Sequence, residues 1–93
     1  MNLKEVLTVA KQMTAERLAE SPDYELYIEV DRQLNLINAN VECGNTPTDE
    51  QKEEISIGLI AVREFEQTDE EFADILGKVS YLYKHPEVDS VDA

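Results

Sequence analysis

Residues 53 to 76, EEISIGLIAVREFEQTDEEFADIL, contain the end of one predicted helix, a short turn and the beginning of the next helix. Apolar residues recur every three or four positions on both sides of the turn, which is typical of amphipathic helices. Thr68-Asp69-Glu70-Glu71 has the spacing of a capping box, a motif that starts a helix. The stretch therefore predicts two helices that meet at a turn over residues 66–68.

Proline and glycine mark other helix ends. Periodic apolar residues predict a first helix over residues 3–20, which stops at Ser21-Pro22 because the residue before a proline is pushed out of the helical region. The same dipeptide can begin a second helix, with Ser21 as its cap and Pro22 at its first position. This helix is expected to end at Glu42 or Cys43, followed by Gly44 in the left-handed conformation.

Two more signals complete a set of four helices. Thr48-Asp49-Glu50-Gln51 is a capping box that opens the third helix, and Lys84 and His85 suit the end of the fourth. Because no stretch alternates apolar and polar residues for long, we predict an all-α fold, a small antiparallel four-helix bundle with short loops. In this prediction, residues 1–85 form a single helical domain and residues 86–93 a loose acidic C-terminal tail.

The apolar stripes predict which side chains form the core. On the second helix the stripe comprises Tyr24, Tyr27, Ile28, Val30, Leu34, Ile37 and Val41. On the third it comprises Ile55, Gly58, Leu59, Val62 and Phe65, and on the fourth Phe72, Ile75, Leu76, Val79, Leu82 and Tyr83. A glycine in a helix interior costs about 1 kcal/mol against alanine. Gly58 and Ala61 therefore indicate the close approach of a neighbouring helix.

Charge limits the classes of partner. The 93 residues include 21 acidic and 8 basic side chains, which gives a net charge of −13. Such a chain is poorly suited to nucleic acid or anionic membranes, which require lysine and arginine, and is better suited to a basic partner. Cys43 is the single cysteine, so no internal disulfide can form. Charged residues interrupt the first twenty positions, so we expect no signal peptide and a cytoplasmic protein.

Enzymatic chemistry has little support in the residues. His85 is the single histidine, no zinc-binding set exists, and glycines occur only at 44, 58 and 77, which excludes a glycine-rich phosphate loop. Residues 69–74 lack the glycine and terminal glutamate of a calcium loop. We therefore expect no catalytic residue, no cofactor and no metal.

The topology brings two loops together. In an up-down-up-down bundle the first and third loops, residues 20–25 and 64–71, lie at the same end. This end is rich in acid and would attract a cationic partner. Acidic residues are frequent elsewhere as well, so a merely solvated surface is the alternative interpretation.

Two stretches carry a family resemblance. Residues 58–69, GLIAVREFEQTD, and residues 24–34, YELYIEVDRQL, resemble the small all-helical immunity proteins of bacterial type VI secretion systems. The most similar subgroup neutralises an NAD(P)⁺-hydrolysing toxin. With the spacing between them, the resemblance extends over roughly residues 3–80.

The resemblance implies a function. Such a protein binds its cognate toxin domain and blocks the active site, which in a nucleotide-using toxin is a basic cleft. The partner reaction implied is NAD(P)⁺ degradation or another reaction on a nucleotide, and the free protein is expected to be a monomer or homodimer. The alternatives are an acidic helical adaptor and a DNA-mimicking inhibitor. The residues predicted to contact the toxin are Asp23, Tyr24, Glu25, Tyr27, Glu64, Glu66, Gln67, Asp69 and Glu70.

Overall fold

The apolar periodicity produces helices throughout the computed structural model, which describes residues 1–91. The helices are α1 (Leu3–Glu20), α2 (Glu25–Glu42), α3 (Asp49–Glu54), α4 (Ile57–Ile60) and α5 (Glu70–Lys84). The last turn of α4 continues without interruption into a π-helical turn over Ala61–Phe65. No strand occurs among residues 1–91. The all-α prediction is confirmed, but the third predicted helix is divided in two.

Four helical positions surround one core. Helix α1 packs against both α2 and α5, and α4 with its π-helical turn packs against α5 and touches α2. Helix α4 and its π-helical turn thus take the third position in the bundle. All six residues predicted for the core face of the last helix are buried, namely Phe72, Ile75, Leu76, Val79, Leu82 and Tyr83.

The break between α3 and α4 follows from two isoleucines. Ile55 and Ile57 are 3% and 0% exposed. Residues two apart point to opposite sides of a regular helix, so both can enter one core only if the helix is interrupted between them. Ile55 is extended there, with φ −92° and ψ 115°.

The Gln33 side chain makes hydrogen bonds to Ser56, at the break between α3 and α4. Gln33 lies on α2 and is 1% exposed. Its Oε1 accepts from the Ser56 backbone N–H at 2.7 Å, and its Nε2 donates to Ser56 Oγ at 2.9 Å. The Nε2 group also donates to Glu29 at 2.7 Å. The backbone N–H of Ser56, which has no partner within its own helix, therefore donates to a side chain of α2.

The interruption changes which face of α4 is buried. Leu59 and Val62, predicted as core residues, are 55% and 63% exposed, so that prediction is wrong. Ile57 and Ala61 are buried in their place, whereas Ile55 and Phe65 are buried as predicted. Tyr24 and Ile28 are also exposed rather than buried, because α2 turns Val30, Leu34 and Ile37 inward.

Gly58 allows α4 to approach α5, as predicted. A Cβ atom at this position would lie 2.9 Å from Ser80 Oγ and 3.1 Å from Ser80 Cβ, both shorter than ordinary contacts. The glycine therefore serves packing between the two helices, which offsets its cost to the helix.

Two helix starts differ from the prediction, whereas two other signals agree with it. Helix α2 begins at Glu25 and not at Pro22, because Ser21 ends α1 and residues 21–24 form a turn. The capping box at Thr68 does not form, since the Thr68 hydroxyl donates to the Glu64 carbonyl and Asp69 is the N-cap of α5. The capping box at Thr48 is present, and Gly44 has φ +70°.

The chain after Pro86 lies against the bundle as far as it is described. Val88 and Val91 pack on the core, and the Val91 N–H donates to the Met1 carbonyl. Up to Val91 the segment is thus not the loose tail expected from its composition, because its valines have an apolar surface to cover. Positions 92 and 93 of the predicted tail lie outside the described residues. The division into 1–85 and 86–93 stays a prediction.

Candidate protein interface

One ion pair joins the end of α1, next to the first loop, to Asp69 in the third loop. Arg17, near the end of α1, donates from Nε to Asp69 Oδ2 at 2.6 Å and from Nη2 to Asp69 Oδ1 at 2.9 Å. The same guanidinium lies 4.6 Å above the ring of Phe72. This two-point contact ties the end of α1 to the beginning of α5. The end of the bundle that holds these loops is called the loop end below.

Aromatic rings join α2 to the same region. The ring of Tyr27 stacks on Phe65 at a centroid distance of 5.6 Å and meets Phe72 edge-on at 5.9 Å. Tyr24 packs edge-on against Tyr27 at 4.7 Å while remaining 43% exposed. The two tyrosines thus differ: Tyr27 is a half-buried support, and Tyr24 presents a ring to the exterior.

Most of the predicted contact residues at the loop end have side chains exposed to solvent. Seven of them are exposed and form no salt bridge among residues 1–91: Asp23, Tyr24, Glu25, Glu64, Glu66, Gln67 and Glu70. Asp69 differs because its carboxylate is held by Arg17 and is only 24% exposed. Asp69 therefore has a structural part in holding the loop end together.

A groove of about 620 Å³ extends from the loop end along the outer side of α4 and α5. One wall contains Val62 and Glu66, and the other contains Glu70, Glu71 and Asp74. Gly58, Ala61, Ala73 and Gly77 also line the groove, and Lys78 contributes its one cationic side chain. We call this feature the α4–α5 groove. It combines a small-residue lining with an acidic rim.

The chain matches known proteins both in sequence and in structure. The sequence profile of the Tsi6 family matches residues 2–85. The chain belongs to the Tsi6 family. A chain in the solved structure of Tse6 in complex with Tsi6 matches it with a TM-score of 0.83 and 26% identity, covering 94% of this chain and 92% of that one. Tsi6 from Pseudomonas aeruginosa gives a TM-score of 0.80 and 26% identity over 89% and 95% of the two chains.

Membership in the Tsi6 family confirms the resemblance to type VI immunity proteins. No curated protein matches the sequence at a significant level. Neither a cluster of three potential metal ligands nor a helix long and apolar enough to cross a membrane is found in the described part of this Tsi6-family chain.

Sequence reasoning missed two residues that organise the surface of this Tsi6-family protein. The contact of Gln33 with Ser56 depends on a helix break at Ile55, which no proline or glycine marks in the sequence. Val62 was assigned to the core by its spacing. The Ile55–Ile57 pair was the available signal for both, since its spacing does not fit one continuous helix face.

The Arg17–Asp69 pair predicts a pH-dependent stability. The Arg17 hydrogen bonds hold the pKa of Asp69 below its ordinary value of 3.8. A carboxylate with a lowered folded-state pKa stabilises the fold above its unfolded-state pKa, and this contribution is lost as the pH falls through the folded-state value. Asp69→Asn is expected to lower the free energy of unfolding by about 1–2 kcal/mol at pH 7. Urea unfolding at pH 7 and at pH 2–3 measures the difference.

The matched control for this prediction is Asp74→Asn. Asp74 pairs with Lys78 at 2.9 Å, but its side chain is 64% exposed, so its loss should change stability little at either pH. The difference in free energy of unfolding between wild type and Asp69→Asn should be smaller at pH 2–3 than at pH 7. A difference of equal size at both pH values would show that Asp69 does not act through its charge.

Proposed function

We propose that this chain is an immunity protein that binds the toxin domain of a type VI secretion effector and occludes its active site. The observation that carries the proposal is the structural match, over 94% of the chain, to a chain in the complex of Tse6 with Tsi6. Membership in the Tsi6 family over residues 2–85 supports it. The protein itself carries out no reaction in this proposal and acts in the cytoplasm.

The loop end supports a contact with a basic cleft. Asp23, Glu25 and Glu64 are exposed there beside the ring of Tyr24, which can supply an aromatic anchor. With Tyr27, Glu66, Gln67, Asp69 and Glu70, these residues form the proposed toxin contact. The net charge of −13 favours fast association with a cationic partner.

The net charge of −13 also bears on the reaction of the toxin. An enzyme that binds the phosphates of a dinucleotide needs cationic side chains in its cleft, and an acidic inhibitor is complementary to them. We therefore propose that the toxin degrades NAD(P)⁺ or uses another nucleotide. An acidic adaptor without a toxin partner is the alternative.

Co-expression tests the proposal. The C-terminal domain of the effector encoded beside this gene is produced in bacteria alone or with this chain, and viable counts and cellular NAD(P)⁺ are measured. The toxin domain alone should reduce both, and the chain should restore both. Equal killing in the presence and absence of the chain would contradict the immunity function. If the toxin domain kills unprotected cells without lowering their NAD(P)⁺ and the chain still protects, NAD(P)⁺ degradation is contradicted, whereas the immunity function and a toxin that uses another nucleotide are not.

A further inference from the structure

We propose that the α4–α5 groove receives a segment of the toxin domain that carries lysine or arginine next to an apolar side chain. This inference rests on the proposed function and adds a second contact surface to the loop end. It also gives a role to Leu59 and Val62, which are apolar but do not belong to the core of the free chain.

Leu59 on α4 and Val62 in the π-helical turn present apolar side chains to the exterior. Leu59 and Val62 are 55% and 63% exposed, the two highest values among the large apolar residues that are exposed. They are three positions apart, so they lie on the same side of the helix, and Val62 lines the groove. Covering this pair with a partner would remove apolar surface from water.

The charge of the groove specifies the partner. Glu66, Glu70, Glu71 and Asp74 supply four carboxylates, and Lys78 already pairs with Asp74 at 2.9 Å. A neutral or acidic segment would leave Glu66, Glu70 and Glu71 without compensation when water is excluded, whereas lysine or arginine would pair with them. The partner segment is therefore expected to be cationic.

Gly77 gives independent support. It lies inside α5, where glycine costs about 1 kcal/mol against alanine. Unlike Gly58, it faces no neighbouring atom, since nothing lies within 4 Å of a Cβ atom built on it. Packing within the free chain therefore does not require this glycine. A partner side chain that enters the groove does require the space.

The groove also adjoins the proposed toxin contact. Glu66 and Glu70 belong to the loop end and line the groove as well. A partner that sits on the loop end can thus extend along α4 and α5 without leaving the surface. The joint area is larger than the loop end alone, as stable protein interfaces require.

Filling the groove tests the inference directly. The affinity for the purified toxin domain is measured by calorimetry for wild type, Gly77→Ala and Gly77→Gln. Glutamine forms helix well and reaches into the groove, so binding should weaken about 100-fold, as for blocking a central contact. Alanine should raise the melting temperature but weaken binding about 10-fold, because its methyl group takes part of the space that the partner side chain would enter. Circular dichroism establishes that both variants fold.

A second pair of variants tests the charge. Glu71→Gln combined with Asp74→Asn removes two groove carboxylates and should weaken binding about 10-fold. Glu50→Gln combined with Glu53→Gln removes two exposed carboxylates from α3, where they do not line the groove, and should change affinity little. A larger loss for the groove pair than for the α3 pair supports the inference.

The outcomes separate the inference from the proposed function. If wild type binds the toxin domain and both Gly77→Gln and the groove charge pair bind equally well, the groove is not a contact and the immunity function stands. If wild type does not bind the toxin domain at all, both proposals fail. If wild type sediments as a dimer that Gly77→Gln dissociates with no loss of toxin affinity, the groove binds a second copy of this chain and the inference is wrong.

Discussion

Replacing Gln33 with leucine is expected to lower the free energy of unfolding by about 2–3 kcal/mol, although leucine has a similar size and forms helix well. The substitution leaves the Ser56 N–H and Oγ facing an apolar side chain at a nearly closed site, where Gln33 is 1% exposed. An unsatisfied buried donor costs about 1–3 kcal/mol. Urea unfolding followed by circular dichroism measures the loss.

The Gln33 contact also has a local signature. Hydrogen bonds from Arg32 and from Gln33 lower the pKa of Glu29 to about 2, so Glu29 is ionised at neutral pH and continues to hold the Gln33 amide. Without the amide, the backbone at residues 55–57 should exchange its amide hydrogens faster than the rest of the core. Gln12→Leu, at an exposed position of α1, is the matched control and should change neither stability nor exchange. A stable Gln33→Leu variant with a protected Ser56 amide would contradict this account.

The sequence predicts correctly those features that depend on the regular periodicity of one helix or on the order of the helices. The core face of α5 was predicted in full because the helix is regular from Glu70 to Lys84. The meeting of the first and third loops followed from topology, and the Arg17–Asp69 pair lies where those loops meet. The Thr68 capping box does not form because the Thr68 hydroxyl donates to the Glu64 carbonyl and α5 begins one residue later, with Asp69 as its N-cap.

The candidate site was harder to predict than the fold. Assigning Leu59 and Val62 to the core assumed one continuous helix from residue 48 to residue 66, and a single break at Ile55 reverses their orientation. Val62 lines the α4–α5 groove because of this changed orientation. A sequence gives the periodicity of a helix, but the phase of that periodicity after a break depends on packing against other elements. Here that packing is the burial of both Ile55 and Ile57.

Reversing charge at the loop end is expected to weaken toxin binding about 100-fold. The variant combines Glu64→Lys with Glu66→Lys, two exposed residues that form no salt bridge in the described chain. Because neither side chain supports the fold, helicity should be unchanged. Lysine at these positions would face the cationic groups of the proposed cleft, and like charges at an interface cost several kcal/mol. Surface binding measurements against the purified toxin domain give the affinity and both rates.

The change in net charge alone could weaken toxin binding, so the control variant has to change the net charge by the same amount. Glu50→Lys combined with Glu53→Lys changes the charge by the same amount on α3, which follows the second loop at the opposite end of a molecule 34 Å long. The Debye length is about 8 Å at physiological salt, so the control charges are screened from the loop end. At low salt both variants should associate more slowly than wild type. At physiological salt only the loop-end variant should remain weak, because its repulsion acts within the contact itself. Equal affinities for the two variants at physiological salt would place the toxin contact away from Glu64 and Glu66.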